Sequence, residues 1–362
     1  MNQKKIYFIT ILIVVMSLIL AACGGSATTE APAVAEPAAE EPAVEEEPMA
    51  EGPNELKIAV ATLFLEEAWT TGLLQSLERV IEQQPHGLSI SYDILDEVSF
   101  DNVSTVLDQA AATGEYDIIW AHSTFYEAVE PLMEEYPDIA WAAAGGGNEA
   151  LGDNMWYMEM TGHESAYLIG VLGGLLSENG NVGTVAEYPF PIQNALTNAF
   201  FEGAKSVNPD VETQFAFLES WFDPPKAIES TTAQIANGAD FIYSQPIGPI
   251  EACMDADVWC AGSYVDQKDL GPEVVLTSML VLWDSHWHEI IDGWWDYAAN
   301  GVPYNAPLEA VMFQLAEGGN DIVPIDDMGG TIPADVIEQV MEIRQQMIDG
   351  TLVVEFNPEA PE

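Results

Sequence analysis

Basic side chains are scarce in this chain. Only 8 Lys and Arg stand against 60 Asp and Glu, for a formal net charge of -52. A nucleic-acid partner needs a basic surface to displace counterions from its phosphates, so that class is excluded. A phosphorylated solute fits poorly for the same reason, because anion sites usually rely on Arg or Lys. Cysteine is nearly absent, with 3 in 362 residues and no paired C-x-x-C. H-E-x-x-H and G-x-S-x-G are missing, and Gly145-Gly146-Gly147 is a loop rather than a phosphate fingerprint. His286 and His288, two residues apart, fall on different sides of a helix and make no metal pair. No enzyme, cofactor or metal is expected from this set of absences.

Long apolar runs are also missing, except at the start. Met1-Asn2-Gln3-Lys4-Lys5 is a short basic segment, and Ile6 to Leu20 is almost wholly apolar. Leu20-Ala21-Ala22-Cys23-Gly24 then places small residues before a cysteine. This order is that of a secretory leader, and the cysteine resembles the lipobox of bacterial lipoproteins. That resemblance implies cleavage before Cys23 and lipidation of its thiol, with the membrane as a partner through the anchor. The alternative is an N-terminal transmembrane span, for which the apolar run is near the short limit of roughly 17–25 residues. Residues 24–54 are Ala, Pro, Glu, Ser and Thr with almost no large apolar side chain. Such a segment cannot form a core and reads as a disordered tether. It reaches about 30 Å as a coil and about 90 Å extended.

The chain as a whole is 48% hydrophobic, the content of a packed protein, and its folded body starts at Leu56. Leu56 to Ala61 reads as a buried strand, and Ala68 to Gln83 as a helix with Trp69, Leu73 and Leu77 on one face. Strands are expected at 88–95, 116–121 and 139–144, and helices at 103–112 and 128–136. The alternation then restarts. Helices are expected at 165–177, 196–207, 225–237, 285–299 and 333–349, with strands at 181–186, 212–219, 241–244, 259–262 and 275–280. Alternating strands and amphipathic helices indicate parallel sheets with βαβ crossovers. The organisation expected is a leader at 1–22, then a lipidated Cys23 and tether at 23–54. The first lobe spans 55–164 with about 267–305, the second about 165–266 with 306–356, and a tail follows at 357–362. Two Rossmann-like lobes with a cleft between them frame a small ligand.

Several segments fall in the order of one family. Tyr116-Asp117-Ile118-Ile119, Tyr136-Pro137-Asp138-Ile139-Ala140-Trp141 and Tyr167-Leu168-Ile169-Gly170 come first. Val207-Asn208-Pro209-Asp210, Trp221-Phe222-Asp223-Pro224, Gly238-Ala239-Asp240 and Val265-Asp266-Gln267 follow. Together they resemble the basic membrane protein, or PnrA-like, family of substrate-binding lipoproteins over most of residues 56–300. The resemblance implies a type I periplasmic-binding fold with a multi-strand hinge. It also implies an ABC permease and ATPase as partners, a monomer on the outer face of the membrane, and a purine base or nucleoside as ligand. Tyr188-Pro189-Phe190-Pro191 and Trp69 look closer to the branch that binds free purine bases. The lysine usual after the Thr-Ser-Met strand is replaced in Thr277-Ser278-Met279-Leu280-Val281-Leu282, and Leu63-Phe64-Leu65-Glu66-Glu67 departs from the nucleoside branch. Asp266 is kept, and its carboxylate can accept from a ligand hydroxyl or ring N–H.

The residue types agree with a flat heterocycle. Trp69 and Trp221 each follow a strand end, where ligands of open α/β sheets bind, and the pair can sandwich a ring. The alternative for each is core or hinge packing, which is also the stronger reading for Trp283. Ser123 and Thr124 follow a strand end beside His122; they either face the ligand or cap a helix. Glu187, Tyr188 and Phe190 occupy the matching loop of the second lobe, and Gln245 offers an amide to a purine edge. Cys253 and Cys260 are a candidate disulfide in an exported chain. Rival readings are another ligand, such as a quaternary ammonium or riboflavin, and a sensory subunit without transport.

Overall fold

The structure is a computed structural model that describes residues 52–95 and 98–362. The expected leader, Cys23 and the tether up to residue 51 lie outside the described residues. The chain then enters β1 (Glu55–Thr62), α1 (Ala68–Gln83), β2 (Ser89–Leu95), α2 (Val103–Ala112), β3 (Ile118–His122), α3 (Tyr126–Glu135), β4 (Ala140–Ala144) and β5 (Met155–Met158). These five strands form one parallel sheet in the order β2-β1-β3-β4-β5. Continuous apolar runs are what a sheet covered on both faces requires. Ile58, Val60, Ile118 and Trp120 point to the face covered by Leu73 and Leu77 of α1. Their neighbours Ala59, Ala61, Ile119 and Ala121 point the other way, onto Leu107 of α2 and Val129 of α3.

The second set comprises α4 (His163–Leu176), β6 (Asn181–Ala186), α5 (Pro191–Val207), β7 (Glu212–Phe217), α6 (Pro224–Ala236), β8 (Phe241–Ser244), α7 (Pro249–Ala256), β9 (Trp259–Gly262) and β10 (Val275–Val281). The chain finishes with α8 (Asp284–Asn300), β11 (Asn320–Ile322) and α9 (Ala334–Ile348). The order is β11-β10-β9-β8-β6-β7, parallel except for β11, which runs antiparallel to β10. The small residues of α4 have a packing role. A Cβ on Gly170 would lie 2.0 Å from the Phe200 carbonyl oxygen, and one on Gly203 would lie 2.1 Å from that of Tyr167. α4 and α5 therefore meet backbone against backbone.

Several boundaries differ from expectation. α5 starts at Pro191 rather than near Leu196, because a proline suits the first helical turn, where no N–H partner is needed. β5, α7 and β11 are short elements that periodicity over a long window does not register. The segment 267–305 is divided between the two sheets. Its strand β10 pairs with β9 in the second sheet, while its helix α8 packs on α1 and β4 beside the first. Cys253 and Cys260 are both buried and free, so the candidate disulfide is not formed. The 357–362 tail is held along α5, where Asn194 Nδ2 donates to the Pro358 carbonyl at 2.9 Å and Asn198 Nδ2 to that of Glu359 at 2.9 Å.

Candidate functional site

Strands of both sheets direct their C-terminal ends toward one cleft, as open α/β sheets do at a ligand site. Thr62 and Leu63 come from the end of β1, His122 to Thr124 from β3 and Ala144 to Gly146 from β4. Glu187 follows β6, Gln245 follows β8 and Tyr264 follows β9. The cavity offers about 110 Å³ in which the centre of a water molecule fits. Gly145, at φ +105°, turns the β4 loop where a Cβ would lie 3.4 Å from the Trp69 ring.

Aromatic rings form the walls. Trp69, on the first turn of α1, stacks on His122 at 4.7 Å between centroids and 10° between planes. Trp283 meets Trp69 edge-on at 5.0 Å, and Tyr264 meets it edge-on at 5.9 Å. On the other side Trp221 is backed by Tyr188 at 4.7 Å and Phe190 at 5.5 Å. At the mouth, Phe64 of the β1–α1 loop stacks on Phe222 of the β7–α6 loop at 6.1 Å.

The polar groups between these walls include several buried carboxyl and amide oxygens. Glu67 precedes α1 and Glu187 follows β6, so they approach from opposite sheets. Burial pushes both carboxyls up to about 7, and for Glu67 the nearby Glu187 charge adds to the effect. Glu159 lies between β5 and α4, and burial pushes it up to about 7 as well. Hydrogen bonds from the Tyr157 hydroxyl at 2.6 Å and the Met160 N–H at 3.0 Å pull the other way. The Oε1 of Glu67, Gln193 and Gln245 and the Oε2 of Glu187 are buried without a partner. No Lys or Arg is among the lining residues. A ligand that stacks and donates several N–H bonds is what this surface can hold.

Of the residues singled out on sequence, Trp69, Ser123, Thr124, Trp221 and Gln245 line the cleft. Ser123 and Thr124 do not cap α3 with their side chains. Asn148 Oδ1 accepts from the Phe125 and Tyr126 N–H groups instead, at 3.1 Å each. Tyr188 and Phe190 stand behind Trp221 rather than on the cavity wall, and Trp283 is fully buried behind Trp69. Asp266 lies outside the cleft, exposed, accepting from the Lys268 N–H at 3.0 Å. Tyr264 takes a left-handed conformation at φ 72°, and Gln267 Oε1 accepts from the Ser263 N–H at 3.1 Å. That turn brings Tyr264 and Gln267 inward and leaves Asp266 in solvent. Glu67, Glu159, Gln193, Tyr264 and Gln267 were not singled out, and among 60 acidic residues no pattern marks the two glutamates of that set.

The fold and the cleft define a two-lobed solute receptor of the type I periplasmic-binding class. The chain belongs to the PnrA-like family of ABC transporter substrate-binding proteins, whose model matches residues 58–320. A family of this kind works outside the cytoplasm, with a small solute and permease and ATPase subunits as partners. Among the described residues no helix is long and apolar enough to cross a membrane. The chain is 26% identical to TsgA13 of Haloferax volcanii, named as a candidate ABC transporter glucose-binding protein, over 84% of this chain and 75% of that one. It is also 26% identical to a purine-binding protein of Brucella abortus, over 52% of this chain and 55% of that one. The fold is that of an ABC transporter solute-binding protein from Conexibacter woesei. The TM-score is 0.65 at 17% identity, covering 83% of this chain and 99% of that one.

Proposed function

We propose that this protein is a lipid-tethered receptor that delivers a purine base, or a closely related N–H-rich heterocycle, to an ABC importer. The observation that carries the reading is the pairing of a stacking surface, Trp69, with buried unpartnered acceptors on Glu67 and Glu187. A flat base places its faces on the aromatics and its edge N–H groups on the carboxyl and amide oxygens. The purine-binding relative from Brucella abortus supports the same ligand class. Glucose, named for the Haloferax volcanii relative, is favoured less. Its hydroxyls can meet the same carboxyl and amide oxygens, but it has no flat π face to lie on Trp69. Cys23 carries the lipid, and the tether spans from membrane to receptor. The two lobes close on the ligand, with the loops of Phe64 and Phe222 meeting over it.

A thermal-shift panel of the purified protein with purine bases, nucleosides, nucleotides, glucose and choline tests the ligand. A ligand at 100 times its Kd stabilises the fold by about 2.7 kcal/mol. Shifts with bases, and none with nucleotides or glucose, are expected. A shift with glucose alone refutes the purine assignment.

A further inference from the structure

We infer that the solute is bound as an organic cation, with N–H groups of the charged moiety donated to Glu187 and Glu67 across the cleft. This rests on the reading of the cleft as the receptor site and narrows the ligand class. Glu187 is only 7% exposed, and its Oε2 has no partner. Glu67 Oε1 is likewise buried and unpartnered, and it reaches the cleft from the opposite sheet. Glu159 adds a third carboxyl to the lining, and no Lys or Arg lines the cavity to balance the three.

An unpaired buried carboxylate is costly, and a charge-assisted N–H bond is the arrangement that removes the cost. The rest of the wall suits a cation as well. Trp69, Trp221, Phe64, Phe222 and Tyr264 present aromatic rings, whose faces attract positive charge. His122, stacked behind Trp69, is buried and neutral, with its pKa pushed down to about 3, so it places no opposing charge there. Among the described residues no three His, Cys, Asp or Glu side chains come close enough to hold a metal ion. The lining carboxyls come from three different segments of the chain and form no metal cluster, so the fitting cation is an organic one such as an amidinium or a charged amino-heterocycle. The net charge of -52 also draws cations toward the cleft and raises their rate of entry.

Calorimetry with two matched pairs tests this. The first pair is benzamidinium against benzamide, which have nearly one shape and differ in charge. The second is 7,9-dimethylguaninium, kept below the pKa of its N1–H so that it stays a cation, against 9-methylguanine. The cation of each pair is expected to bind about tenfold tighter or more. Glu187→Gln, which keeps the shape, is expected to remove most of that preference. Equal or tighter binding of the neutral members overturns the inference. If 9-methylguanine binds without a charge preference, the purine reading stands and this inference falls. If benzamidinium is preferred while neither guanine binds, the inference stands and the purine reading falls. If nothing binds, both fall.

Discussion

Trp69 and His122 lie face to face, with ring centroids 4.7 Å apart and planes 10° from parallel. His122 Nδ1 accepts from Trp120 Nε1 at 3.3 Å, so its proton sits on Nε2, 3.5 Å from the Trp69 carbonyl. One face of the Trp69 indole is therefore covered by a neutral, immobile ring. The stack, braced by Trp283 at 5.0 Å, holds the indole rigid beside the cleft.

Removing that surface is expected to weaken ligand binding more than folding. Aromatic stacking on a base contributes about 1–3 kcal/mol. Trp69→Ala is thus expected to raise Kd by about 10- to 100-fold, and Trp69→Phe to recover part of the loss. Calorimetry on both variants checks this, and an unchanged Kd for Trp69→Ala would place the ligand elsewhere.

The buried carboxyls give stability a pH dependence of known sign. Burial raises Glu187 from its ordinary 4.5 to about 7. Between those values the folded state holds a proton that the unfolded chain has lost. The contribution is complete below about pH 4.5 and is lost as pH rises through about 7. A shift of this size is on the order of 3 kcal/mol at pH 8. Urea denaturation of the ligand-free protein at pH 5 and 8 is expected to show a larger loss for wild type than for Glu187→Gln. Equal losses would mean that the carboxyl is not desolvated.

The turn at Tyr264 separates two adjacent residues. Gln267 lines the cleft and Asp266 does not. Asp266→Asn is expected to leave ligand affinity within about twofold, while Gln267→Ala weakens it by about 1 kcal/mol or more through one lost hydrogen bond. The reverse ranking in a titration would show that this loop refolds on ligand binding.

Gly170 and Gly203 allow no side chain between α4 and α5. Gly170→Ala drives a methyl group onto the Phe200 carbonyl, where backbone has to move. A loss of about 3 kcal/mol or more is expected, at the upper end of overpacking costs. A denaturation midpoint equal to wild type would contradict this helix contact.

Most of the fold is legible in the sequence because the strands of parallel sheets are short, continuous apolar runs separated by amphipathic helices. Ile118–Ala121 and Leu73–Leu77 show both signals plainly. The site is only partly legible. Trp69 and Gln245 stand out as special side chains just past strand ends, and both line the cleft. Glu67 does not stand out, and Glu187 is marked only by the loop it shares with Tyr188 and Phe190, because only the topology that brings β1 and β6 to one cleft separates the two from the solvated carboxylates. Asp266 illustrates the opposite case. A family motif marks the segment, but one left-handed residue decides which side chain turns inward.

The most direct test is calorimetry of the purified protein against adenine, guanine, adenosine and glucose, beside the Trp69→Ala variant. One base is predicted to bind at one site per chain, with affinity falling about tenfold or more in the variant. Binding of glucose with no heat from any purine would contradict the assignment, as would purine binding unaffected by the loss of Trp69.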